Sequence, residues 1–226
     1  MQTIKLPKDS GGMEVWRLHP SPWWRNVNVD SFNRQVFAAA HVVANPLTAT
    51  SDMTGFGQID WDKTMLVRHK IWDNSFGVAE AMDTAQRGMG LDWLMAHELI
   101  RLTGKELKTR KGASACAGVS TDQLGARVPV SLRQVQNAYI EQTHFVEETG
   151  CQPVLMSSRH LCRIAEGVDD YVQVYSNVLK EASSPVILHW LGEMFDPHLK
   201  GYWGSTCYDE AKETVLSIIR EFSSKV

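Results

Sequence analysis

From residue 35 onward, short apolar runs that end on polar residues alternate with longer stretches of helical spacing. The runs are QVFAAAHVV (35–43), FGVAEAMDT (76–84), ASACAGVST (113–121), PVLMSS (153–158) and PVILHW (185–190). Their near-continuous apolarity predicts strands buried on both faces, as in a parallel sheet. Between them, Ser131 and Gln134 form a capping box, and Leu132, Val135, Ala138, Tyr139, Gln142 and Phe145 follow on one stripe. Tyr171, Val174, Tyr175, Val178 and Leu179 repeat the helical spacing behind Asp169 and Asp170, acids suited to a helix start. Residues 206–222 do the same with Val215, Ile218, Ile219 and Phe222. Five βα units in series predict an α/β architecture with right-handed crossovers. Residues 1–34 read as an N-terminal lead-in, with extended pieces TIKLP and MEVWRL before the loop HPSPWWRNVNVDS. Trp23 and Trp24 in that loop suit either the bottom of a core or the lining of a pocket, and the core is the expectation.

Such units close either as an open doubly wound sheet or as part of a (β/α)8 TIM barrel. The first turn, HVVANPLTATS, has no GxGxxG, and GxxxxGK[ST] is absent from the five units. That favours the barrel, with residues 35–226 as a partial TIM-barrel domain supplying roughly the first five βα units. A whole barrel takes about eight units in about 250 residues. The first and fifth strands are therefore expected to be open edges, and oligomerisation, or association with a chain supplying the remaining strands, is expected.

Composition narrows the partners. With 43% hydrophobic residues the chain can fill a sizeable core, and a net charge of −3 offers no basic field for nucleic acid. No apolar run approaches the roughly 20 residues of a membrane span. The start MQTIKLPKDSGG lacks the apolar core of a secretion signal, so a cytoplasmic protein is expected. Cys116, Cys151, Cys162 and Cys207 show no CxxC spacing and read as reduced thiols.

Candidate chemistry gathers where a barrel keeps its active site, at the C-terminal ends of the strands. The first run reaches His41, and the second carries Glu80 and ends at Asp83 and Thr84. The third ends at Ser120, Thr121 and Asp122, the fourth at Ser157, Ser158, Arg159 and His160, and the fifth at His189 and Glu193. His69, His97 and His144 fall in helical stretches and read as packing or surface residues; Met82, Met89 and Met95 read as core filler. Asp83 with Thr84 also suits an N-cap pair leading into QRGMGLDW. Arg159 is placed either to pair with an acid or to hold a carboxylate or phosphate with its planar fork. Glu80 interrupts a buried strand, where an unpaired carboxylate costs several kcal/mol, so it requires a cation, a metal or a proton. A retained proton would make it an acid or base near neutral pH. On this reading PVIL is core, and His41, Glu80 and His189 converge on one cavity.

The strings FGVAEAMDTAQRGMGLDW (76–93) and SPVILHWLGEMFDPHLKGYWG (184–204) resemble those of an uncharacterised bacterial family, a dihydrodipicolinate synthase-like domain of unknown function. The resemblance covers nearly the whole chain from about residue 34. It implies the barrel of the class I aldolase and lyase superfamily, which forms a Schiff base between a strand-six lysine and a keto acid. It also implies a substrate-binding turn at Asp83 and Thr84, and places His189 where the superfamily has a proton-relaying tyrosine. The chain stops at SSKV, where that strand and lysine are expected, and Lys225 is not a candidate for the role.

The leading expectation is a lyase or aldolase acting on a small keto acid or keto sugar, with no cofactor and a lysine from outside the chain. His189 and Glu80 would be catalytic, with Asp83, Thr84, Ser157, Arg159 and Glu193 binding substrate. The alternative is an isomerase or hydrolase with a divalent metal on His41, Glu80, Asp122 and His189, or on Glu193 in place of His189. A third is a non-catalytic partial barrel associating through its edges.

Overall fold

The computed structural model describes residues 3–18, 34–45, 47, 58–85, 87, 90–125 and 130–226. Trp23, Trp24 and Met89 lie outside them. The chain divides into two units, Met1–Arg34 and Gln35–Val226.

In the first unit, strands β1 (Thr3–Pro7) and β2 (Met13–Arg17) form an antiparallel hairpin, with Ile4 opposite Trp16 and Leu6 opposite Glu14. Gly11 and Gly12 turn the chain with φ of 82° and 89°, a region glycine enters without penalty.

In the second unit, five strands lie parallel in chain order: β3 (Phe37–Ala39), β4 (Gly77–Glu80), β5 (Ala115–Val119), β6 (Gln152–Leu155) and β7 (Ile187–Leu188). Helices α1 (Trp61–Asp73), α2 (Trp93–Thr109) and α3 (Leu132–Thr149) make the first three crossovers. Two helices, α4 (Arg159–Ile164) and α5 (Val168–Glu181), make the fourth, and α6 (Tyr208–Glu221) follows β7.

The strands are buried on both faces, but by different material. Val78, Ala115, Ala117, Val119 and Leu155 join the main core, to which all six helices contribute buried apolar residues. The alternate residues Cys116 and Val154, with Phe37, Ala79 and Ile187, form a second cluster with Met82 and Met156 and with no helical member. A sheet wound in one direction places its helices on one face. Its other face is filled by curling the sheet on itself, which is how a barrel interior is made. Five sequential parallel strands of this kind are a half-barrel, matching part of a TIM barrel.

Local signals account for the helices. Ser131 Oγ accepts from Gln134 N while Gln134 Oε1 accepts from Ser131 N, the expected capping box. In α5, Tyr171, Val174, Tyr175, Val178 and Leu179 are all buried, as their spacing predicts. The segment QRGMGLDW does not begin a helix at Asp83 and Thr84. Asp83–Ala85 is a single 3-10 turn, and α2 starts behind Asp92, whose carboxylate accepts from Met95 N. No helix among the described residues is long and apolar enough to cross a membrane.

Helices α2 and α3 approach closely at Gly104. A Cβ there would lie 2.6 Å from Thr149 Cβ and 2.7 Å from Thr149 O, and the second obstacle is backbone. Gly104→Ala is expected to destabilise the domain by about 1–3 kcal/mol, despite alanine's better helix propensity, because the helices must part. Equilibrium urea unfolding measures it.

Candidate active site

The tips of β4 and β7 meet. His189 directly follows β7, and its Nδ1 lies 3.9 Å from Asp83 Oδ2 in the turn after β4. In a flat sheet these strands would be three spacings, about 14 Å, apart. The contact therefore reports the curl that brings strand tips to one mouth. Both side chains remain about one-third exposed, at 30% and 33%. Nδ1 itself is shielded from solvent and has no hydrogen-bond partner among the described residues. A carboxylate facing one ring nitrogen favours the proton there and leaves the other nitrogen's lone pair free for proton transfer.

Glu80 does not share this mouth. Its position on β4 faces the helices, and its side chain is fully buried against Arg68 of α1. Oε1 accepts from Arg68 Nη2 at 2.7 Å and from Ala81 N at 3.0 Å. Oε2 accepts from Arg68 Nε at 2.9 Å and Thr103 Oγ1 at 2.7 Å. The cation this carboxylate requires is the guanidinium, in a bidentate fork. Arg68 Nη1 also donates to Thr64 O at 3.1 Å and to the carbonyl of His41. Only the backbone of His41 enters this network; the residue is exposed. The convergence of His41, Glu80 and His189 on one cavity is thus corrected: Glu80 and His189 stand on opposite faces of the sheet.

Asp122 is likewise engaged. Arg87 reaches it from the β4–α2 connection with Nη2 to Oδ1 at 2.9 Å and Nε to Oδ2 at 3.1 Å, and Gln142 Nε2 donates to Oδ1 at 3.0 Å. Burial opposes the charge on Asp122, but the Arg87 guanidinium and these donors outweigh it and hold the carboxyl below its ordinary value of 3.8. Its contribution to stability is therefore present above the usual carboxylate range and is lost as pH falls through that lowered value. Arg87 also donates to Gly118 O and sits 5.1 Å over the Trp93 ring. Among the described residues no three His, Cys, Asp or Glu side chains gather as metal ligands. The set His41, Glu80, Asp122 and His189 is not assembled, because two of its carboxylates are bound by arginines.

At the tip of β6 the chain turns into a helix that the apolar pattern does not announce. Ser158 caps α4 by accepting from Leu161 N at 3.1 Å. His160 then points back to Thr121: its Nε2 donates to Gly125 O at 2.9 Å, and its Nδ1 shares a hydrogen bond with the Thr121 hydroxyl at 3.0 Å. Thr121 Oγ1 shares a second with Ser158 Oγ at 2.6 Å. Tyr202, from the GYWG stretch, accepts from Ser158 N at 3.0 Å and contacts Tyr175 Oη at 2.9 Å. Burial pushes the Tyr139, Tyr175 and Tyr202 phenols above their ordinary range, so this cluster is a neutral support behind the turn.

The remaining candidates scatter around the mouth. Ser157 Oγ makes a long 3.5 Å bond to Leu191 O. Arg159 Nε donates to Asp196 at 2.6 Å, and its two terminal nitrogens have no partner among the described residues. Glu193 is exposed in the loop after β7, and the side chain of Thr84 lies outside the described residues. Burial pushes the Cys116 thiol up to about 12 and that of Cys151 up to about 11, so neither supplies a thiolate at neutral pH. Lys225 Nζ donates to the carbonyls of Leu179, Lys180 and Ala182 at the C-terminal end of α5, which makes it a helix cap.

Arg68 and Arg87 do not stand out in the sequence pattern, and Gln142 reads there only as a position on the buried stripe of α3. Thr64, Arg68 and Trp72 follow one another at four-residue spacing and are all buried, so α1 turns a partly polar stripe inward. Such a stripe, beside a strand with one lone glutamate, is the signal that would have paired Arg68 with Glu80.

Among solved structures, the crystal structure of dihydrodipicolinate synthase from Oceanobacillus iheyensis resembles this chain with a TM-score of 0.48 and 14% sequence identity. The match covers 72% of this chain and 47% of that one, so this chain spans about half the length of that enzyme. No curated protein matches. Residues 4–226 match the family described as Protein of unknown function (DUF993), and the chain belongs to that family.

Proposed function

We propose that this chain carries part of the active site of a barrel lyase of the class I aldolase type, acting on a keto acid or keto sugar. The observation that supports it is the His189–Asp83 pair at the mouth. Asp83, expected to touch substrate, is given the role of orienting His189 so that Nε2 exchanges a proton with the substrate carbon. The free edge of the Arg159 fork suits a substrate carboxylate, and Ser157 suits its neighbouring oxygens. Glu80, expected to be catalytic, is reassigned to supporting the strand tip.

No lysine stands at a strand tip among the described residues, and the proposed amine lies outside this chain, on strands added beside the end strands β3 and β7. Attack of that amine on the substrate carbonyl, with loss of water, gives an iminium that accepts the electron pair of the breaking carbon–carbon bond. His189 takes the hydroxyl proton of the departing fragment, which leaves as an aldehyde or ketone, and returns that proton to the resulting enamine carbon; water then hydrolyses the iminium and frees the amine.

The test is borohydride reduction of the full-length protein incubated with pyruvate and, separately, with a panel of longer keto acids and keto sugars. A stable adduct on a lysine outside residues 1–226 is expected. Absence of any adduct across the panel removes this mechanism.

A further inference from the structure

The turn that carries Asp83 is strained. Ala81, fully buried, has φ of 50°, a left-handed conformation that is unfavourable for a non-glycine residue and persists only where its surroundings stabilise it. One group holds it from one face of the sheet and another makes room for it on the other. From the helix face, Glu80 Oε1 accepts from Ala81 N at 3.0 Å while Arg68 holds the same carboxylate. From the interior face, Gly118 of β5 leaves room for the Ala81 carbonyl. A Cβ on Gly118 would lie 2.6 Å from Ala81 O and 2.5 Å from Met156 Sδ. Beyond Ala81, Met82 packs into the interior cluster with Met156, and Ala85 N donates to Met82 O at 2.9 Å. Asp83 leaves this turn with Oδ2 3.9 Å from His189 Nδ1.

We infer that Glu80 and Gly118 are positioning residues: Glu80 holds Ala81 left-handed through its N–H, Gly118 leaves the Ala81 carbonyl the room that conformation needs, and that turn aims the Asp83 carboxylate at His189 Nδ1. The inference rests on the reading of Asp83 and His189 as a working pair. It gives the Arg68–Glu80 ion pair, which never reaches the mouth, a part in the mouth's geometry. Glu80 spans the two faces because its carboxylate bonds the backbone N–H of the next residue.

The experiment reads the tautomer of His189 by nitrogen NMR of the neutral ring in full-length protein labelled at histidine, since the tautomer reports which nitrogen faces an acceptor. Wild type is expected to favour Nδ1–H. In Asp83→Ala the ratio of Nδ1–H to Nε2–H is expected to fall about threefold or more, as removal of a charge near 4 Å implies. Glu80→Asp keeps the charge beside Arg68 but withdraws it from Ala81 N–H, and the same fall is expected. Gly118→Ala pushes the Ala81 carbonyl away, with the same fall and a lowered melting temperature. Adding Ala81→Gly to Gly118→Ala lets the turn yield, so melting temperature recovers while the tautomer ratio does not. If Asp83→Ala leaves the ratio unchanged, the pair itself is absent and the inference falls with it. If Asp83→Ala lowers the ratio while folded Glu80→Asp or folded Gly118→Ala keeps the wild-type value, the pair stands and the positioning role is overturned.

Discussion

Arg68→Ala is expected to destabilise the half-barrel by about 3–5 kcal/mol, because it leaves the Glu80 carboxylate buried without its cation. Arg68 and Glu80 have no exposed side-chain surface, and the guanidinium makes two of the carboxylate's four bonds. It also holds the carbonyls of Ala40, His41 and Thr64, so with Glu80 four partners lose a donor together. Against a typical domain stability of about 5–15 kcal/mol the loss is large, and for a domain of this size it corresponds to a melting point lower by about 6–20 °C. Circular dichroism during heating measures it. Replacing both partners by apolar residues, Arg68→Met with Glu80→Leu, removes the unpaired charge and is expected to return stability to within a few kcal/mol of wild type, or above it. A change below about 1 kcal/mol in Arg68→Ala would mean that the pair is open to water and contributes as a surface ion pair does.

That pair also shows where sequence reasoning stops. An acid in a buried strand announces that a partner exists, which is a local deduction from the cost of desolvation. Which partner it is depends on how α1 crosses the sheet, and that depends on packing between segments. The same division runs through the fold. The capping box at Ser131 and the stripe of α5 were legible because both act within a few residues of chain. The apolar runs marked all five strands but overstated them: PVILHW contributes only Ile187 and Leu188 to β7. Helix α4 was hidden because Ser157 to His160 look like polar groups at a strand tip. Ser158 is in fact an N-cap, and the six-residue helix it starts turns His160 back to Thr121. At the mouth, His189 was legible from its place after an apolar strand. Its approach to Asp83 was not, since it depends on curl accumulated over three strand spacings. Asp122 and Glu80 looked equally available as metal ligands until the arginines bound to each were seen.

His189→Asn is expected to lower kcat for the proposed keto-acid reaction by about 10²–10⁴-fold, the usual contribution of a positioned acid–base group. In the proposed mechanism the Schiff-base step does not pass through His189, so borohydride trapping of pyruvate should survive the substitution even as turnover collapses. Asp83→Ala is expected to act in the same direction with a smaller loss, because the imidazole remains and only its orientation and tautomer are released. Arg159→Met provides the contrast. In its proposed role the guanidinium is offered to the substrate in the ground state as well as the transition state, so its removal is expected to raise KM more than it lowers kcat. The two substitutions therefore separate chemistry from capture at one mouth. A His189→Asn enzyme with kcat within a factor of about three of wild type would sink the assignment of proton transfer to this ring. If trapping were lost together with turnover, His189 would be acting on iminium formation, which would place its ring nitrogen beside the substrate carbonyl rather than the carbon.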